Sequence, residues 1–117
     1  MHGIRLGGYA FCRGLFTFAF PYEKKVCDVI HQRGGLVKLH MCGNTTKLLL
    51  DLVTCGADLF NVDHMVDFSL ATEVYTKNEK SFKGNLNPVD HMLHATPREC
   101  YEKALECINS AKDIVYF

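Results

Sequence analysis

The sequence carries no net charge: 13 basic residues balance 13 acidic ones over 117 residues. That balance offers no electrostatic steering towards nucleic acid or an anionic membrane surface. No low-complexity run, collagen-like repeat or linker composition interrupts it. With 48% hydrophobic and 22% charged residues it is an ordinary globular mixture. Long apolar runs are missing too, since the stretch from Gly14 to Pro21 is far too short to span a bilayer. No basic segment leads into an apolar run and a small-residue cleavage site, so no secretory context is indicated. The cysteines Cys12, Cys27, Cys42, Cys55, Cys100 and Cys107 are therefore expected as thiols of a reduced, cytoplasmic protein, not as a disulfide framework. Finally, no G-x-G-x-x-G follows a strand and no P-loop is present, which weighs against nucleotide binding.

What is present is an alternation of helix and strand signals. Pro21 suits a first helical turn. Tyr22, Val26, Val29 and Ile30 recur near helical spacing, and Gly34-Gly35 stops that helix. Leu36 to Met41 reads as a strand, and Asn44 as the cap of a helix that buries Leu48, Leu49, Leu52 and Val53 and ends at Gly56. A strand from Leu59 to Val62, a helix from Val66 to Tyr75 and a strand from Ser81 to Leu86, interrupted by Gly84, follow. Asn87-Pro88 ends that strand and begins a loop with His91 and His94. Thr96-Pro97-Arg98-Glu99 is a capping box, opening a helix through Tyr101, Ala104, Leu105 and Ile108 to about Lys112. Ile114 to Phe117 begins one more strand, and Gly3 to Ala10 reads as a strand ahead of the first helix. Cys27, Cys55, Cys100 and Cys107 fall on or beside helical apolar stripes, where a thiol serves as a small hydrophobe.

Strands alternating with helices at this spacing imply right-handed βαβ units and a parallel sheet. An open doubly wound sheet and part of a (β/α)8 barrel both fit. In either, chemistry sits at the carboxyl ends of the strands, where His40-Met41-Cys42-Gly43-Asn44, Asp63-His64 and Asn85-Leu86-Asn87 cluster. His40 and Cys42, two apart on a strand end, face the same side. Imidazole and thiolate form a soft N/S pair suited to zinc, though a zinc site needs at least a third protein ligand. Gly43 allows a tight turn. A strand-end histidine beside a buried cysteine would have the same spacing, so that reading stays open. Asp63 and His64 could face the same pocket or a solvated loop. Asn44, Asn85 and Asn87 could bind a polar ligand or satisfy turn backbone. Asp58 and Asp67 suit turns and helix caps.

Pro21-Tyr22-Glu23-Lys24-Lys25-Val26, Leu39-His40-Met41-Cys42-Gly43-Asn44-Thr45, Ala57-Asp58 through Val62-Asp63, Val66-Asp67, Lys83-Gly84-Asn85-Leu86-Asn87-Pro88 and Ala95-Thr96-Pro97-Arg98-Glu99 occur in that order. This ordered set resembles the uroporphyrinogen decarboxylase superfamily over residues 21–117, with residues 1–20 a poorly matching N-terminal segment. The resemblance implies an α/β fold: the C-terminal half of a (β/α)8 TIM barrel, since a whole one takes about 250 residues. The H-x-C-G-N form is similar to the branch of cobalamin-dependent zinc methyltransferases of the methylcobamide:coenzyme M type. By that resemblance His40 and Cys42 are zinc ligands. A further Cys in a G-C motif on the final strand, expected beyond residue 117, would complete the set.

The implied reaction is methyl transfer from a methylated corrinoid protein to a small thiol, with Asn44, Asp63, His64, Asn85 and Asn87 as substrate-binding candidates. Two alternatives stand beside it. One is a metal-independent uroporphyrinogen decarboxylase of porphyrin biosynthesis, whose catalytic residues lie mostly in the N-terminal half of that family. The other is an inactive truncated half-barrel or binding module. Asn87 stands where the family pattern usually has Asp, which removes a negative charge there. A half-barrel would expose two strand edges, so a homodimer closing the barrel is expected.

Overall fold

Three short parallel strands, each followed by helical structure, make up the part of the chain that a computed structural model describes, residues 14–111. A π-helical turn, Leu15–Ala19, runs into α1 (Phe20–Gln32). Strand β1 is Lys38–His40. A 3-10 turn, Thr46–Leu48, continues into the short α2 (Leu49–Leu52). Strand β2 is Leu59–Asn61, α3 is Phe68–Lys77 and β3 is Ser81–Lys83. A second π-helical turn, Pro88–Leu93, stands where a loop was expected around His91, and α4 (Pro97–Ser110) ends the described chain. The expected strands at residues 3–10 and 114–117, and Cys12, lie outside the described residues. The sheet order β1-β2-β3 and the β-α alternation are those of one wall of a (β/α)8 barrel; among the described residues the sheet is not closed.

The register sorts the side chains onto two faces. Leu39, Phe60 and Phe82 pair across the three strands, and in the neighbouring row so do His40, Asn61 and Lys83. Because alternate residues point to opposite faces, the first row meets the helices and the second faces the other way, where a barrel has its interior. Phe60 and Phe82 are buried, and the Tyr75 ring of α3 stacks on both, at centroid distances of 4.8 and 5.4 Å. Burial pushes the Tyr75 phenol up from its ordinary value. Phe68 tilts against Phe82 at 5.2 Å. Leu48 of the 3-10 turn, Leu49 and Leu52 of α2 and Val53 just after it close the core, all four buried as their spacing predicts. Cys27 and Cys55 are buried thiols, and burial pushes both thiols up, which keeps them neutral.

The helix ends follow local chemistry. Asp67 accepts the Leu70 N–H and caps α3, and Thr96 with Glu99 forms both halves of the capping box of α4. Asp58 ties the end of α1 to the start of β1: its carboxylate accepts from the Val37 N–H at 2.7 Å and pairs with His31 Nε2 at 2.8 Å. The His31 contact above all, with the Val37 N–H, holds Asp58 below the ordinary carboxylate range, against the opposing effect of partial burial.

Two apolar stripes are not used as their spacing suggests. In α1, Tyr22, Val26 and Val29 are exposed and Ile30 is half-buried, while Cys27 is buried and Phe20 packs against the core. In α4, Tyr101, Leu105 and Ile108 are exposed, and Ala104 and Cys107 are half-buried. Helical periodicity marks an apolar face but does not say which neighbour covers it. No described helix is long and apolar enough to cross a membrane.

The stacked core carries the sheet, so Phe82→Ala is expected to lose about 3–5 kcal/mol, read as a lower urea midpoint. Tyr101→Ala is expected to change it little. Asp58 predicts an acid limb. Its depressed value adds stability that is present above the unfolded carboxylate value of about 4 and is lost as pH falls through the folded one. Asp58→Asn should therefore be less stable than the parent near neutral pH by about 0.2–1 kcal/mol, and the two unfolding curves should converge in acid. A gap that persists in acid would contradict this role.

Candidate functional site

The carboxyl ends of β1 and β2 bring together His40, Cys42, Asn61, Asp63 and His64. His40 is the last residue of β1 and lies on the inward row. The chain leaves the strand through Met41 and Cys42, then turns at Gly43 with φ +86°, a conformation that suits glycine. That turn returns the Cys42 thiol to the imidazole: His40 Nε2 and Cys42 Sγ are 3.1 Å apart, both exposed to solvent. Across the sheet, Asn61 pairs with His40 in register, and its side-chain amide contacts His40 Nδ1.

Asp63 lies two residues past Asn61, and its largely covered carboxylate accepts from the Met65 N–H at 2.9 Å. Above all the Met65 N–H, then the Gly43 N–H and the nearby His64 and His40, hold Asp63 below its ordinary value, while partial burial opposes them. The Gly43 contact ties the exit of β2 to the turn that carries Cys42. His64 pairs with Asp63 through Nδ1 at 3.1 Å and is more exposed.

The remaining site candidates are engaged with backbone. Asn44 Oδ1 accepts from the Thr46 N–H and hydroxyl, shaping the start of the 3-10 turn. Asn85 donates from Nδ2 to the Asp63 and Val66 carbonyls, at 3.2 and 2.7 Å, so it clamps the exit of β3 to that of β2. Gly84 just before it has φ +131°, and a Cβ there would collide with the Val62 carbonyl, so only glycine lets the two exits approach. Asn87 caps the Pro88–Leu93 turn, accepting from the Val89 and Asp90 N–H groups. Its backbone N–H donates to His91 Nδ1, while the His94 side chain makes no hydrogen bond or ion pair with the strand-end cluster among the described residues. A hollow lined by Asp90, His94, Glu102 and Lys103 lies along α4, away from the cluster.

The donor chemistry at the end of β1 fits part of a zinc site. A 3.1 Å imidazole-to-sulfur separation is near the roughly 3.6 Å that the nitrogen and sulfur ligands of one tetrahedral zinc would span. Among the described residues, no group of three or more His, Cys, Asp and Glu converges in a way that could hold a metal. As metal ligands, His40 and Cys42 would be two donors of a set that needs a third.

The sequence model of the family described as uroporphyrinogen decarboxylase (URO-D) matches residues 15–116. The chain belongs to this family. Its similarity extends to proteins of two different chemistries. It is 34% identical over 82 residues to a methylcobamide:CoM methyltransferase, MtbA, of Methanosarcina mazei, covering 70% of this chain and 24% of that protein. It is 32% identical over 92 residues to the MtbA of Methanosarcina acetivorans, covering 79% and 26%. It is also 31% identical over 96 residues to a uroporphyrinogen decarboxylase of a Synechococcus species, covering 81% and 25%. The chain spans about a quarter of the length of these curated relatives.

Asn61 is the site residue that sequence reasoning missed. Its signal was a polar residue closing an otherwise apolar strand, Leu59-Phe60-Asn61, at the same height as the histidine closing β1. Aligning the carboxyl ends of the strands would have found it. Removing the Asn85 clamp takes a donor from the Val66 carbonyl and leaves the Asp63 carbonyl only the Val66 N–H, so Asn85→Ala is expected to cost about 1–3 kcal/mol, measured by denaturant unfolding. An unchanged midpoint would show that the clamp is dispensable.

Proposed function

We propose that this chain supplies the zinc-binding strand end of an enzyme that transfers a methyl group from a methylated corrinoid protein to a small thiol. The observation that carries this reading is the convergence of His40 Nε2 and Cys42 Sγ at the carboxyl end of β1. Similarity to two methylcobamide:CoM methyltransferases supports it. A third protein donor is required and comes from outside residues 14–111.

Zinc bound there would supply a Lewis acid that keeps a substrate thiol deprotonated at neutral pH. In such a transfer the thiolate would form the S–C bond, and the partner's corrinoid would leave with the electron pair of the methyl–cobalt bond. In this reaction the chain's own residues hold and orient. His40 and Cys42 present the soft N/S pair. Asp63 fixes the Gly43 turn that aims Cys42, and His64 stands at the exposed side, where an incoming thiol would meet it. Asn44, Asn85 and Asn87 act through the loops they brace. The free thiols of Cys27, Cys42, Cys55, Cys100 and Cys107 support a reducing, cytoplasmic setting for this chemistry.

A second reading, metal-independent decarboxylation of uroporphyrinogen, is favoured by the Synechococcus relative. One experiment separates the two. The complete protein, carrying the third donor expected beyond residue 117, is titrated with zinc against a chromophoric chelator, and both it and its Cys42→Ser variant are assayed with a methylated corrinoid plus a small thiol, and with uroporphyrinogen. Zinc binding that Cys42→Ser weakens at least about tenfold, together with corrinoid demethylation, is the expected result. Carbon dioxide release from uroporphyrinogen with no zinc binding would overturn it in favour of the second reading.

A further inference from the structure

His40 has two ring nitrogens with different tasks. Nε2 points at Cys42 Sγ, and Nδ1 meets the Asn61 side-chain amide, whose Nδ2 is the atom placed against it. A neutral imidazole has one N–H and one free lone pair, and a metal takes the lone pair. For Nε2 to be the donor, the proton must sit on Nδ1, and something must accept it. Asn61 is placed for that. Register fixes it opposite His40, on the same face of the sheet. It is half-buried, and its side chain makes no other hydrogen bond among the described residues. A side-chain amide turns over about its last torsion, so either its oxygen or its nitrogen can face Nδ1. With Oδ1 turned to the ring it accepts the Nδ1 proton and leaves Nε2 free beside the Cys42 sulfur.

We infer that Asn61 is a positioning residue: its Oδ1 accepts from His40 Nδ1–H, holding the imidazole in the tautomer and orientation that makes Nε2 a metal donor. The inference deepens the zinc reading and rests on it for its purpose, but its geometry belongs to His40 and Asn61 alone. Partners of this kind to a ligating histidine fix ring orientation and raise ligand basicity. Neither Asp63 nor His64 takes this part, since Asp63 is occupied by the Met65 and Gly43 N–H groups and His64 by Asp63.

The test compares the complete protein, with its third donor beyond residue 117, with Asn61→Leu, which cannot accept, and Asn61→Asp, which can only accept. Zinc affinity is measured by chelator competition. The His40 tautomer in the zinc-free chain is read from nitrogen–proton NMR correlations of the imidazole. The expected result is a zinc affinity about 10–100-fold weaker in Asn61→Leu, near parental affinity in Asn61→Asp, and a lower Nδ1–H fraction in Asn61→Leu than in the parent. If the parent binds zinc and Asn61→Leu binds it equally well, the inference is overturned while the zinc reading stands. If the parent binds no zinc, the zinc reading falls and the tautomer decides. A lower Nδ1–H fraction in Asn61→Leu then upholds the positioning role, and an unchanged or higher one overturns it. Should Asn61→Leu not fold, Asn61→Asp decides: retained affinity supports the inference, and lost affinity overturns it.

Discussion

The in-register pairing of β1, β2 and β3 is the constraint on which the rest depends. A parallel strand shifted by one residue turns every side chain to the opposite face. Here the row Leu39–Phe60–Phe82 belongs under the helices, and the stack of Tyr75 on Phe60 and Phe82 holds it there. The neighbouring row, His40–Asn61–Lys83, is thereby sent to the inner face. Oily rings on one side thus decide which polar groups meet on the other. A slip in β2 alone would replace Asn61 beside His40 with an apolar neighbour and break the aromatic stack as well.

Precision at the strand ends comes from the exits. Gly43 turns the chain so that Cys42 comes back to His40, and Asp63 holds that turn from the next strand. Asn85 then holds the exit of β2 from the exit of β3, and Gly84 permits the close approach that this requires. The bracing therefore runs from β3 to β2 to β1 and ends at the thiol. Side chains that look like ligand binders in sequence, Asn85 and Asn87 among them, bond to backbone and to neighbouring side chains of their own loops and helices and keep the loops in place.

Local chemistry made much of the fold legible. The capping box at Thr96, the Asp67 cap, the stop at Gly34-Gly35 and the buried quartet around α2 depend on near neighbours, and all appear where the residues place them. The exposed stripes of α1 and α4 were not legible, because their burial depends on what lies across from them and not on their own spacing. The Pro88–Leu93 turn was missed because a cap at Asn87 and a proline also suit an open loop. At the site, the His40–Cys42 pairing was readable from a two-residue spacing within one segment. Asn61 lies 21 positions from His40 and becomes its neighbour only through the sheet register, which no local pattern states.

The chain's relatives carry out two chemistries, and the zinc reading turns on the strand end of β1. A thiol-activating metal needs the imidazole–thiolate pair, and decarboxylation does not. The most direct measurement is zinc K-edge X-ray absorption on the zinc-treated complete protein, with the third donor expected beyond residue 117, and on its Cys42→Ser variant. The account predicts a mixed shell, with nitrogen at about 2.0–2.1 Å and sulfur at about 2.3 Å, and a weaker sulfur contribution in Cys42→Ser. A shell without sulfur, or a sulfur shell that Cys42→Ser leaves unchanged, would contradict it.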